Sequence, residues 1–250
     1  MSRPADLKQA LIDSGEEWNT SWDNVLQASP SYLAAYVKLR QVPIQKQKLP
    51  RKIQELILLA IDAQCTHLHA PGVRLHIEEA RKAGASVGEI IETLEMASVL
   101  GVHSVTVGVE LLQEVLAEKG QTLSAEDRDL SPRQQALKDN FVRQRGYWSG
   151  TWSPVLQLSP EFFAAYTEYS SVPFQEGHSF LESYVKELVY CAIDCATTHL
   201  FAPGLKIHIR NAIEKGASAE QVLEVFELAA LMGAKTVVMG VDAVAEIEKG

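Results

Sequence analysis

Apolar positions along this chain recur at helical rather than strand spacing. After Ser86, the residues Ile90, Ile91, Leu94 and Ala97 fall three and four apart, the period of a helix that buries one face. Helix starts are marked as well. Ser86-x-x-Glu89, Ser218-x-x-Gln221 and Ser131-Pro-Arg-Gln134 are capping boxes, in which side chains satisfy the first free N–H groups. Ser29-Pro30 and Ser159-Pro160 set a capping Ser before a first-turn Pro. One stretch, "HSVTVGV" (His103–Val109), alternates like a strand. Its counterpart "KTVVMGV" is less regular, and no hairpin partner lies nearby, so it too is predicted as helix. The pattern predicts an all-α chain.

The pattern also repeats. Glu55–Gly101 set against Glu187–Gly233 without gaps gives 21 identities in 47 positions, an internal duplication. Upstream, "WNTSWDNVLQASPSYLAAY" (Trp18–Tyr36) matches "WSGTWSPVLQLSPEFFAAY" (Trp148–Tyr166). The intervening "KGQTLSAEDRDLSPRQQ" is polar and carries turn chemistry. The expected organisation is a first repeat over 1–120, a linker over 121–132 and a second repeat over 133–250, each of small-domain length. The repeats are expected to form helical bundles related by a pseudo-twofold.

Composition narrows the class. At 46% apolar and 22% charged the chain is globular rather than disordered. A net charge of −9, with no run of basic residues, speaks against a nucleic-acid partner. The N-terminus lacks the apolar core of a secretory signal. The most apolar segment, Val222–Val241, carries Glu224, Glu227 and Lys235, so no membrane span is expected. Cys65, Cys191 and Cys195 lie in apolar surroundings and are odd in number; reduced, buried thiols and a cytoplasmic location are expected.

The duplicated polar residues are the candidate chemistry. Glu55 and Asp62 are seven apart, so they share a helix face. Thr66 and His69 extend that face until Pro71-Gly72 breaks the helix, and His76 follows. The second repeat keeps Glu187, Asp194, Thr198, His199, Pro203, Gly204 and His208. Each residue also has a plain structural reading. A Glu can favour the helix dipole, an Asp can cap, a Thr can bond back to the backbone and a His can be packed in a core. Asp62, His67, His69 and His76 are competent metal ligands. However, His69 becomes Phe201 and no zinc-type spacing is present, so no metal is expected. His103 and His178 are not duplicated and are expected at the surface.

The helix "ELVYCAIDCATTHLFAPGLKIHIRNAIEKGASAEQVLEVFELAALMG", with "HIEEARKAGAS" in the first repeat, resembles the carboxymuconolactone decarboxylase family, which includes the AhpD-like alkylhydroperoxidases. The resemblance implies a helical bundle used alone or in tandem and assembled as a ring, with a homo-trimer the simplest arrangement for a tandem chain. It implies that His76 and His208 stand at the active-site His, and Glu55 and Glu187 near a proton-relay Glu. The redox branch needs C-x-x-C before that His. Here those places hold His69/Gly72 and Phe201/Gly204, which excludes a disulfide-cycling peroxidase. The implied activity is that of a cofactor-free lyase acting on a small carboxylated lactone or a related unsaturated or keto acid. His76 and His208 would deliver the proton, tuned by Glu55 and Glu187. His67 and His199 would position substrate, with Asp62, Asp194, Thr66, Thr198 and His69 around it. Arg74 and Lys206 would hold the carboxylate, or are simply solvated basic residues. A non-catalytic ligand-binding or structural bundle, and a cofactor-free hydrolase or isomerase, remain alternatives on the same scaffold.

Overall fold

A helix at the centre of a bundle is buried on every side, and two segments are, although each carries three polar residues: Gln54, Glu55 and Asp62 in one, Lys186, Glu187 and Asp194 in the other. Ile53 to Asp62 and Val185 to Asp194 are buried without interruption. They lie in α4 (Arg51–Ala63) and α11 (Ser183–Cys195) of a computed structural model that describes residues 3–121 and 129–248. Among the described residues every regular element is helical. The first repeat also supplies α1 (Pro4–Asp13), α2 (Thr20–Ala28), α3 (Pro30–Lys46), α5 (Ala70–Lys82), α6 (Val87–Ser98) and α7 (His103–Glu118). After it come α8 (Pro132–Arg145), α9 (Trp152–Leu158) and α10 (Pro160–Ser171), followed by α12 (Ala202–Glu214), α13 (Ala219–Ala230) and α14 (Ala234–Ile247). Residues 122–128 of the expected linker lie outside the described residues.

The chain groups into two compact units. One joins Met1–Ala97 to Leu181–Gly250. In it α4 packs on α11, α5 covers α4, α12 covers α11, and α13 reaches α3, α4 and α11. Its contacts are reciprocal. Glu92 accepts the Leu181 N–H at 2.8 Å and pairs with Lys186 at 2.6 Å. Glu224 accepts the Leu49 N–H at 3.2 Å and Gln54 Nε2 at 2.8 Å. Adding the repeat offset of 132 to Leu49, Gln54 and Glu92 gives Leu181, Lys186 and Glu224. Thr66 and Thr198, also 132 apart, meet hydroxyl to hydroxyl at 3.3 Å. Equivalent residues touch each other only where a twofold axis passes between them.

The other unit spans Ser98–Phe180. Its core is aromatic: Phe141, Trp152 and Phe163 pack with Val102, Val155 and Leu156. Within it α7 lies on α9. In the first unit the corresponding pair is α14 on α2, where Asp242 accepts Asn24 Nδ2 at 2.8 Å and the Ser21 hydroxyl. The last helix of each repeat therefore packs on the opening helices of the other repeat.

Several local expectations change. The strand-like "HSVTVGV" opens α7. The boxes at Ser86, Ser131 and Ser218 form. Ser29 and Ser159 make no side-chain cap; each joins two consecutive helices as a corner, and only the Pro part of that reading holds. Cys65 is exposed and Cys195 partly so, leaving Cys191 as the buried thiol. His103 is half-buried, whereas His178 is exposed. The continuous helical runs Val87–Glu118 and Ala219–Ile247 have the length and apolar composition of membrane spans. Yet Glu92 and Glu224 inside them make the buried polar contacts described above.

Candidate functional site

The polar cluster of the first repeat forms where α4 ends. The helix stops at Ala63, earlier than Pro71-Gly72 led the sequence reading to expect. The chain then turns back. The His69 N–H donates to the Asp62 carbonyl at 2.8 Å, and Leu68 takes a left-handed φ of 48°. His69 caps α5, its Nδ1 accepting the Gly72 N–H at 3.1 Å. Thr66 and His69 are therefore off the α4 face, and Thr66 meets Thr198 instead of the cluster. The turn succeeds because Gly72 lies against Asp62: a Cβ there would sit 1.6 Å from Asp62 Oδ2.

His76 lies between two carboxylates. Its Nδ1 is 2.8 Å from Glu55 Oε2 and its Nε2 is 3.6 Å from Asp62 Oδ2. Its side chain is only 5% exposed. Arg51, one turn before Glu55, pairs with Oε1 at 2.5 Å. Lys235 reaches Asp62 Oδ1 from α14. His67 Nε2 and His69 Nδ1 each stand 3.5 Å from Asp62 oxygens, and their rings stack at 5.5 Å. Burial pushes the Asp62 carboxyl up, but the His69 ring, the Lys235 ammonium and His76 together hold it below its ordinary range. Lys235 is the permanent cation among them; His69 Nδ1, accepting from Gly72, has no proton to donate while the ring is neutral. Burial, then Lys235, lowers His67. The cluster is thus a graded set: a buried Glu–His pair, an ionised Asp, and a Lys with two imidazoles on the open side.

The second repeat keeps the core of this arrangement with different neighbours. His208 Nδ1 is 2.7 Å from Glu187 Oε2. The cation beside Glu187 is Lys215, from the far end of α12. Burial would raise Glu187, but His208 and Lys215 hold it down. Tyr190 stacks on His208 at 4.6 Å, where the first repeat has Leu58. His199 lies 5.8 Å from Phe201, ring to ring, and burial lowers its affinity for a proton. Burial also pushes the Asp194 carboxyl up to about 8, so at neutral pH the two Asp residues are in opposite states.

Arg74 and Lys206 are exposed on the outer faces of α5 and α12. Asp62, His67 and His69 bring ligand atoms within 4.8 Å of one another. A cation there would have to displace Lys235 and the Gly72 N–H. Burial raises Cys191 strongly and Cys195 to about 12, which disfavours thiolate chemistry at those two positions. Reading the sequence alone missed Arg51, Lys215, Tyr190 and Lys235. The available signals were the i−4 spacing of Arg51 to Glu55 and the alignment of Lys235 with a second titratable residue, His103.

The chain is similar over 99% of its length to 98% of a crystal structure from Burkholderia xenovorans LB400, with a TM-score of 0.94 and 40% identity. That protein is provisionally assigned as a gamma-carboxymuconolactone decarboxylase subunit. None of the curated proteins compared with the chain matches it. The family model for carboxymuconolactone decarboxylases matches twice, over 30–114 and 160–246, once for each Glu–His pair. The chain belongs to the carboxymuconolactone decarboxylase family.

Proposed function

We propose that this chain is a cofactor-free carboxy-lyase acting on a small carboxylated lactone or a related unsaturated or keto acid, with the first repeat's cluster as the main reacting site. The supporting observation is the run of groups Glu55–His76–Asp62–Lys235 from the core towards solvent, bonded at both ends with a 3.6 Å step from His76 Nε2 to Asp62 Oδ2 between them. Loss of CO₂ leaves the electron pair of the broken C–C bond in a dienolate. The charge settles on a neighbouring carbonyl oxygen, and the carbon then takes a proton. The Lys235 ammonium and an N–H of His67 or His69 suit that oxyanion. His76 is too enclosed to reach a substrate directly, so its proton passes by way of Asp62, and solvent restores it.

Released CO₂, measured over a panel of small keto acids and carboxylated lactones, tests the proposal. Lys235→Met should lower kcat by roughly 10²–10³ if it opposes the developing charge. The Lys235–Asp62 pair also fits a non-catalytic bundle in which it is only a structural ion pair. No CO₂ release from any panel member, with ligand binding retained, would favour that reading.

A further inference from the structure

Beside the cluster lies a cleft of about 650 Å³, within the roughly 300–1,000 Å³ typical of small-molecule sites. Its walls are Ala63, Leu68, Ala70, Val73 and Ile77, with Arg74 and Glu78 as its charged residues. Ala63 follows Asp62, and Leu68 separates His67 from His69, so the cleft borders the cluster through the chain, while none of the cluster's own side chains lines it.

Two observations bear on what fills it. Leu68 is 68% exposed and holds a φ of 48°, a region that costs a Cβ-bearing residue energy. Leu200 repeats this in the second copy, 63% exposed with a φ of 49°. The left-handed backbone serves the turn in both copies, but an apolar side chain held in water there does not serve solubility; strain of this kind collects at binding sites. The second observation is charge. Arg74 is exposed and has no ion-pair partner among the described residues. The second copy places Lys206 at the same position and Arg210 where Glu78 stands. An apolar wall with an unpaired cation complements one ligand class.

We infer that the cleft binds an amphipathic monocarboxylic acid, its hydrocarbon or aryl body along Leu68, Val73 and Ile77 and its carboxylate on Arg74. This rests on the reading of the cluster as a site for carboxylates, and it makes the substrate more apolar than a compact polar lactone.

Calorimetric titration of the full-length protein with butanoate, hexanoate, octanoate and decanoate tests the inference, with the matching alcohols alongside. Affinity should rise about fourfold per added methylene until the cleft fills, and octanoate should bind at least about tenfold tighter than octanol. Arg74→Glu should abolish the acid-over-alcohol preference and keep the chain-length slope. Leu68→Asn is the more telling variant, because Asn tolerates the left-handed conformation. It should raise the melting temperature and flatten the slope together. An absent chain-length slope, or an acid preference untouched by Arg74→Glu, would overturn the inference. So would a Leu68→Asn variant that changes the oligomeric state but not acid binding, which would give this face to a second copy of the chain. Slope-dependent binding without CO₂ release from any panel acid would sink the lyase proposal and leave the cleft standing. CO₂ release without the slope would do the reverse.

Discussion

A methyl group on Gly72 has no space to occupy, because the nearest atom, 1.6 Å away, belongs to the Asp62 carboxylate at the centre of the cluster. Gly72→Ala should cost about 1–3 kcal/mol in urea denaturation, the usual range for overpacking, and should displace Asp62. Gly108→Ala, in an exposed turn of α7 with nothing within 4 Å, should instead stabilise by roughly 0.5–1 kcal/mol. Equal shifts for the two variants would mean that Asp62 swings aside freely. The two buried Asp residues should respond to pH with opposite signs. Asp62 is held below its ordinary 3.8, so its stabilisation is present above that value and is lost as pH falls through the folded one. The gap between wild type and Asp62→Asn should close as pH falls from 5 towards 2. Asp194 is raised from 3.8 to about 8, so its contribution is complete below 3.8 and is lost as pH rises through 8. Asp194→Asn should gain on wild type across that window, by up to about 1.4 kcal/mol per pH unit. Parallel curves for the two variants would contradict the assignment. Glu55, Asp62, His67 and His76 were legible in the sequence because duplication singled them out, and His69 because it stands in the same motif, although Phe201 replaces it in the second repeat. Lys235 was not, because it arrives from a helix 173 residues away, and pattern carries no information on such approaches.

Whole helices were easier to foresee than their ends. Capping boxes marked α6, α8 and α13, and for α6 and α13 duplication doubled the signal. The end of α4 was misplaced because Pro71 is a strong breaker in sequence, whereas the actual stop, at Gln64, depends on a backbone reversal fixed by the bond from the His69 N–H to the Asp62 carbonyl. The exchange of last helices was hidden for a related reason: α7 and α14 are apolar enough to pack on either set of opening helices. Within the first unit, Asp242 anchors α14 to α2 through Ser21 and Asn24, and the same helix carries Lys235. Asp242→Ala should therefore act at a distance. Loss of these hydrogen bonds to a charged group should cost roughly 1.5–3 kcal/mol. If α14 then shifts, kcat should fall while KM for the acid changes little. A variant that loses stability but keeps full kcat would show that Lys235 is positioned by its own contacts rather than by its helix.

At the scale of the whole molecule, α14 leaves Met239, Val244 and Ile247 more than half exposed, three large apolar side chains on one helix that a second copy could cover. Light scattering at micromolar concentration should report an oligomer, with a trimer expected, and Ile247→Glu should weaken it; a monomeric wild type would refute this. The duplication raises a sharper question: whether the two Glu–His pairs share the work. Both are intact, at 2.8 and 2.7 Å, but their surroundings have diverged. The first has Lys235, His69 and an ionised Asp62 in front of it; the second has Phe201, the Tyr190 ring and a protonated Asp194. A cation stabilises a dienolate more strongly than the neutral O–H of Asp194 does, and the first pair has Lys235 beside its Asp. His76→Ala should therefore remove most CO₂ release, with a loss of roughly 10²–10⁴ at that site. His208→Ala should retain most of it, and the double variant should be inactive. Circular dichroism on each variant guards against unfolding, since His76 is buried. The reverse ranking would move the reacting site to the second repeat and leave Lys235 without a catalytic part. Wild-type rates in a folded double variant would make both histidines structural.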